Sequence, residues 1–325
     1  MASAEGTRRK GARRNRQAAV LAAMALLAAV ACGDSIGANE VGSAAGGRAG
    51  HGRTQLASEV CPPEGRWRID TEAGARWVEL RVPQGAAAPL PAVVAVHGFG
   101  AQADRFLAES GIEQRSAAAG ALVVAPQALG DPPRWEVLAD FERDEAFITG
   151  VLDSLQADGC LDPGRVAMGG HSAGSALAAF YGCAHPERFT ALVLNAGLPP
   201  PLCREATPNL VITHGIDDSV VPFGGGPQRV GESQVALPTV PDSAAVWATQ
   251  GGCGKPTTIV EPPVTFTRWA GCASEATAVL GAIDGWGHAW PGSAASSGID
   301  VGCVLAAAAV SGAPPSPPFS DCPAE

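Results

Sequence analysis

The chain has 325 residues, 46% of them hydrophobic and 17% charged, with a formal net charge of −10. That composition excludes a disordered chain, and the length suffices for one large α/β core. The acidic balance would repel a phosphate backbone, so no nucleic-acid partner is expected.

Residues 1–31 read as an export signal. Basic residues from Arg8 to Arg16, offset only by Glu5, precede the apolar run AAVLAAMALLAAVA. The run has signal-peptide length and is too short for a comfortable membrane span. Its removal would take the net charge from −10 to about −15. Small residues near Ala31 offer a cleavage site, and Cys32 follows at once. AVAC resembles a bacterial lipoprotein signal, although the usual leucine three residues before the cysteine is here Ala29. Two outcomes therefore stand open: a lipid anchor at Cys32, the one membrane association expected, or free secretion. Residues 32–60, rich in Gly, Ala and Ser without apolar periodicity, read as a tether. Residues 61–325 are expected to form a single folded domain.

RWRIDTEAGARWVELRVP alternates as a hairpin of two strands does. PAVVAVHGFG is a continuous apolar run ending in glycine, as expected of a strand buried on both faces. A helix over Asp104–Ala119 and the strand ALVVAPQ follow. Asp144–Ala157 places Phe147, Val151 and Leu155 on one helical face. Next come the strand RVAMGG, a helix from Ala173, and the strands ALVLNAG and NLVITHG, with the strand-like TAVLGAI further on. This alternation predicts a doubly wound, mostly parallel α/β sheet with helices on both faces. The Ala-, Ser-, Gly- and Pro-rich tail after Pro291 yields no element.

Nine cysteines include Cys32; the other eight form an even set that suits an oxidising compartment. Cys183 with Cys203, Cys253 with Cys272 and Cys303 with Cys322 would each close a short loop. No cysteine or histidine spacing matches a zinc site, so no metal is expected.

Gly170-His171-Ser172-Ala173-Gly174 fits G-x-S-x-G at a junction of strand and helix, the setting of a nucleophile elbow. The motif alone can arise by chance among 41 glycines; the strand–turn–helix context is what gives it weight. A serine nucleophile needs a base and an acid, which in such folds follow in the order Ser, Asp, His. NLVITHGIDDSVVPF supplies Asp217 and Asp218, which periodicity does not separate. Of six histidines, His51 lies in the tether, His171 inside the elbow and His185 before a proline. His97 and His214 end apolar strands. His288, in the constrained AIDGWGHAWPG loop late in the chain, is the candidate base. The backbone N–H groups of Phe99 and Ala173 are the candidate oxyanion donors.

Four motifs together resemble the polyhydroxybutyrate depolymerase and feruloyl esterase-like family of secreted α/β-hydrolases. They are VVAVHGFGAQADRF, DEAFITGVLDSLQADGCLDPGRVAMGGHSAG, HGIDDSVVPFGGG and GWGHAWPG, and the likeness spans Pro91 to Gly292. The resemblance implies an α/β-hydrolase fold with Ser172 as nucleophile, His288 as base and Asp218 rather than Asp217 as the acid. It implies hydrolysis of carboxylic esters, feruloyl-type or short hydroxyalkanoate, by a monomer without a cofactor. A peptidase or acyltransferase on the same fold, or a non-catalytic binding protein, is the competing expectation. Ser175-Ala176, Phe223 and Trp286 depart from the family pattern, and the closing aromatic-rich helix is missing. No second domain of the kind that docks onto solid polymer is present in the sequence. Trp286, Trp290 and Phe223 are candidate substrate contacts, the tryptophans by stacking on a phenolic or sugar group.

Overall fold

A computed structural model describes residues 56–71, 74–137, 140–197, 203, 208–230, 233–273, 275–292, 294–320 and 322. The expected export signal, Cys32 and nearly all of the tether lie outside the described residues. A short helix α1 (Ala57–Val60) precedes the antiparallel hairpin β1 (Gly65–Thr71) and β2 (Gly74–Arg81), in which Trp67 pairs with Val78. The parallel strands β3 (Leu90–Val96), β4 (Leu122–Pro126), β5 (Leu161–His171), β6 (Ala191–Asn195) and β7 (Asn209–Gly215) follow. Between them run α2 (Ala103–Ser110), α3 (Ile112–Ala119), α4 (Phe141–Ala157) and α5 (Ala173–Ala184). The hairpin β8 (Gly226–Val230) and β9 (Ser233–Leu237) stands apart from the main sheet. Then come α6 (Val240–Gln250), β10 (Thr257–Glu261), β11 (Val264–Trp269), β12 (Ala278–Ile283), α7 (Ala294–Ser297) and α8 (Val301–Ser311).

The ten-stranded sheet runs β1-β2-β4-β3-β5-β6-β7-β12-β11-β10, parallel from β4 to β12 and antiparallel at both edges. Every residue of β3 is buried, and its side chains alternate between two cores. Val94 and Val96 join Phe147 of α4 and Leu177 of α5 on one face. Val93 and Ala95 join Leu107 of α2 and Val304 of α8 on the other. Burial on both faces is why these strands read as continuous apolar runs rather than alternating ones.

Two helical regions differ from the sequence reading. The helix expected over Asp104–Ala119 is two helices, broken at Gly111, whose φ of 73° ends α2 in the left-handed conformation. The tail also closes on a helix. It is alanine-rich rather than aromatic, and α8 buries Val301, Val304, Leu305 and Ala308 against the sheet, with Asp300 capping it through Cys303 N–H at 2.8 Å. An apolar residue on every side leaves such a helix without periodicity. The three short-range cysteine pairs form as disulfides, and Cys61 bonds Cys160 as a fourth. Such a set belongs to chains that fold in oxidising compartments.

Among the described residues, one arginine–carboxylate pair is wholly inside. Arg76 of β2 donates to Asp144 of α4 at 2.6 Å, with both side chains at 0% exposure, and its guanidinium lies 3.9 Å over the Phe147 ring. Asp144 also accepts the Glu136 N–H at 2.8 Å. Removing Arg76 leaves the buried Asp144 carboxylate with only the Glu136 N–H and the more distant Arg143 at 3.6 Å, so Arg76→Met should cost about 3 kcal/mol. Arg76→Met combined with Asp144→Leu should recover much of that loss in urea unfolding. A double variant no more stable than the single one would contradict this account.

Candidate active site

The turn from β5 into α5 holds Ser172 at φ 54°, a left-handed conformation that a non-glycine residue adopts at a cost of about 1–3 kcal/mol. Its neighbours explain the glycines of the motif. A Cβ at Gly174 would stand 2.3 Å from Val96 O and 2.4 Å from His97 O; one at Gly170 would stand 2.4 Å from the Gly174 carbonyl carbon. The Ser172 N–H is fixed to Asn195 O at 2.9 Å, tying the turn to the end of β6.

The acid loop leaves β7 at Gly215, and the histidine loop follows β12. They abut so closely that a Cβ at Gly215 would lie 2.0 Å from Trp286 O, and Asp217 N–H donates to that same oxygen at 3.0 Å. Of the two adjacent carboxylates, the Asp217 residue is exposed, whereas the Asp218 side chain is wholly buried. Asp218 Oδ2 lies 2.7 Å from His288 Nδ1, and its Oδ1 accepts the Val220 and Val221 N–H groups at 2.8 Å each. Burial alone would raise the Asp218 carboxyl, but the bonds from His288, Val221 and Val220 outweigh it and hold the group below its usual value.

The loop after β3 is pinned from beneath. The buried His97 ring accepts the Ala128 N–H at Nε2 (3.1 Å), so Nδ1 carries the proton and donates to Gly98 O at 2.8 Å. Trp135 Nε1–H donates to His97 O at 2.8 Å. In a trans peptide the C=O and the next N–H point opposite ways. Fixing Gly98 O therefore also fixes the direction of the Phe99 N–H, away from His97. Burial keeps the His97 ring neutral by lowering its pKa.

These three loops border one cavity of about 600 Å³, whose walls include Ser172, His288, His171 and Phe99. Its far wall is aromatic. Trp290 is locked by an Nε1–H bond to Ser110 O at 3.0 Å and meets Phe106 edge-on at 5.3 Å. Gln102, Arg105 and Glu109 of the α2 stretch give the cavity a polar side. Two of the expected substrate contacts stand elsewhere. Trp286 turns its indole N–H to Ala289 O at 3.2 Å, and Phe223 packs against the His214 ring at 6.0 Å; neither lines the cavity. A cavity of about 700 Å³ lies at the opposite ends of the strands, bounded by Pro314, Pro315 and Thr277, and no histidine lines it. Among the described residues, no three His, Cys, Asp or Glu side chains converge as a metal ion would need.

Sequence reasoning passed over two more histidines beside the catalytic candidates. His214 Nε2–H donates to Val221 O at 2.8 Å and lies 3.3 Å from Asp218 Oδ2, bracing the acid loop. His171, within the motif itself, puts its ring 4.9 Å from that of His288 and its Nδ1 2.7 Å from Asn195 Oδ1.

No protein-family model matches the chain, and no curated protein matches it. Among solved structures, an acetyl xylan esterase from Aspergillus awamori aligns with a TM-score of 0.55 at 15% identity, over 69% of this chain and 94% of its own. The chain has the α/β-hydrolase fold. Two further alignments are looser. Esterase PE8 gives a TM-score of 0.44 at 21% identity over 65% of this chain and 89% of its own. Native pOPH gives 0.45 at 13% identity over 61% and 79%.

The electrostatics of this site have a measurable consequence. Burial, with His288 nearby, lowers the His171 pKa to about 4 against the Asn195 bond that raises it. In the unfolded chain the ring titrates near ~6.5. Between those values the unfolded state holds a proton that the native state refuses, so this contribution to stability is complete above ~6.5 and is lost as pH falls to about 4. Urea unfolding of His171→Gln should therefore fade less than that of the parent across this window, by up to about 3 kcal/mol. Parallel pH profiles for the two proteins would contradict the burial of a neutral ring.

Proposed function

We propose that the chain is an exported serine ester hydrolase that works through an acyl-enzyme. The observation that carries this reading is the Asp218–His288 bond at the wall of the cavity that also holds the strained Ser172. His288 Nε2 takes the Ser172 hydroxyl proton as Oγ attacks the ester carbonyl carbon. The tetrahedral oxyanion is met by the N–H groups of Phe99 and Ala173. His288 then returns the proton to the leaving alkoxide, and the acyl group remains on Oγ. Water, deprotonated by the same ring, attacks the acyl-enzyme and releases the acid. Asp218 accepts the Nδ1–H throughout, fixing the tautomer and balancing the imidazolium charge.

The wall of Phe99, Phe106 and Trp290 beside the polar Gln102, Arg105 and Glu109 suits carboxylic esters with a planar or short acyl group and hydroxyl substituents. Feruloyl-type and short hydroxyalkanoate esters both meet that description. Four disulfides support an oxidising compartment, consistent with residues 1–31 as the export signal. Cys32 would be the point of lipid attachment if the chain is anchored rather than released.

Ser172→Ala should remove p-nitrophenyl ester hydrolysis by at least about 10³-fold, and Asp218→Asn should lower kcat by about 10³–10⁴-fold, while Asp217→Asn should change it little. A folded Ser172→Ala protein with parental turnover would overturn the reading, and an equal loss from Asp217→Asn would overturn the choice of acid. Trp290→Ala should reduce kcat/KM for aryl-acyl esters relative to acetyl esters by about tenfold, and Trp286→Ala should leave that ratio alone. Comparing the two ratios across the three proteins checks it; an unchanged ratio in Trp290→Ala would remove the aromatic wall from substrate recognition.

A further inference from the structure

His171 stands at the cavity wall next to Ser172, yet the ester mechanism leaves it without a task. Its protonation follows from its neighbours. The wholly buried Asn195 places Nδ2 3.3 Å from Thr213 O and 3.0 Å from Thr213 Oγ1. A main-chain carbonyl only accepts, so the NH2 end of the amide must face Thr213 and the oxygen end must face His171. Oδ1 in turn only accepts, so the proton of the neutral ring sits on Nδ1. Nε2, on the ring edge away from Asn195, is then left as a lone pair.

That edge is placed where substrate must pass. The adjacent Cδ2 lies 3.4 Å from where a Cβ on Gly98 would stand, and the ring centroid is 4.9 Å from that of His288. The Nε2 edge therefore borders the space between the Phe99 loop and the base, close to the carbon that Ser172 attacks. The Phe99 and Ala173 N–H groups, and His288 once protonated, are donors; the acceptors Gln102 and Glu109 belong to the α2 stretch of the cavity wall. An acceptor among those donors is of no use to an oxyanion, but it can hold an O–H.

We propose that His171 is a substrate-contacting residue whose Nε2 accepts a hydrogen bond from a hydroxyl within two carbons of the scissile carbonyl. The proposal rests on the ester-hydrolase reading and adds to it a preference for hydroxylated esters. The burial that keeps the ring neutral down to a pH of about 4 keeps this acceptor available across the working range.

The test compares kcat/KM for methyl butanoate, methyl 2-hydroxybutanoate and methyl 3-hydroxybutanoate, followed by acid release, in the parent, His171→Leu and His171→Gln. The ratio of at least one hydroxylated ester to the plain ester should fall about 3- to 10-fold in His171→Leu and be partly restored in His171→Gln, whose amide oxygen can accept. Ratios unchanged in His171→Leu would overturn the proposal alone. A parent that hydrolyses none of the three would overturn the ester-hydrolase reading and this proposal with it. Long-range ¹H–¹⁵N correlation on the ¹⁵N-histidine-labelled parent gives an answer even where a variant fails to fold. An unprotonated Nε2 on His171 supports the assignment, and a protonated one overturns it.

Discussion

At the end of β5 the chain folds back over the end of β3 so tightly that no side chain fits between them. The Gly174 backbone sits where even a methyl group would reach 2.3 Å from Val96 O, and Gly170 faces Gly174 just as closely. This contact forces Ser172 into a positive φ and lifts it out of the sheet at the start of α5. It also brings the turn against the loop that begins at Gly98, where an added Cβ would be 3.5 Å from Ser172 Cβ. Ser172 and the loop that carries Phe99 are thus delivered together by one backbone approach. The second close approach, between Gly215 and the Trp286 carbonyl, does the same for Asp218 and His288. Two glycine-dependent contacts therefore set the relative positions of the loops that border the cavity.

Rigidity around those contacts comes from a chain of buried hydrogen bonds. Trp135, adjacent in the chain to the Glu136 amide that Asp144 holds, donates to the carbonyl of His97, which in turn fixes the Gly98 peptide. The Arg76–Asp144 pair anchors that segment from the other side of the core. Burial also sorts the histidines by charge. His97, His171 and His214 are all pushed toward the neutral form by desolvation, while the buried Asp218 carboxylate bonds His288. A positive charge formed on His288 would then meet a carboxylate and two neutral rings, not a cluster of cations.

Much of this was legible in the sequence because fully buried parallel strands leave unbroken apolar runs, and β3, β4, β6 and β7 lie where those runs stand. The elbow was legible because its glycines are demanded by contact. Other features were hidden for physical causes. Gly111 breaks a helix whose flanks both have helical composition, and α8 has no polar face to create a period. The β10–β11 hairpin, at the sheet edge, went unread. Asp217 and Asp218 are adjacent, so only the folded loop separates the one that turns to His288. Trp286 sits beside the histidine in sequence, but its contribution is a backbone carbonyl, which residue type does not reveal. The tautomer of His171 depends on Thr213 and Asn195, brought together only by pairing of β6 with β7.

The central claim is that the fold holds Ser172 as an activated nucleophile. Treating the native protein with a fluorophosphonate, then measuring intact mass and mapping the labelled peptide, tests it without knowledge of the natural ester. The account predicts one adduct, on Ser172, formed at a rate that collapses in His288→Gln and after unfolding in urea. A folded protein that takes no adduct, or takes it on another residue, would contradict it.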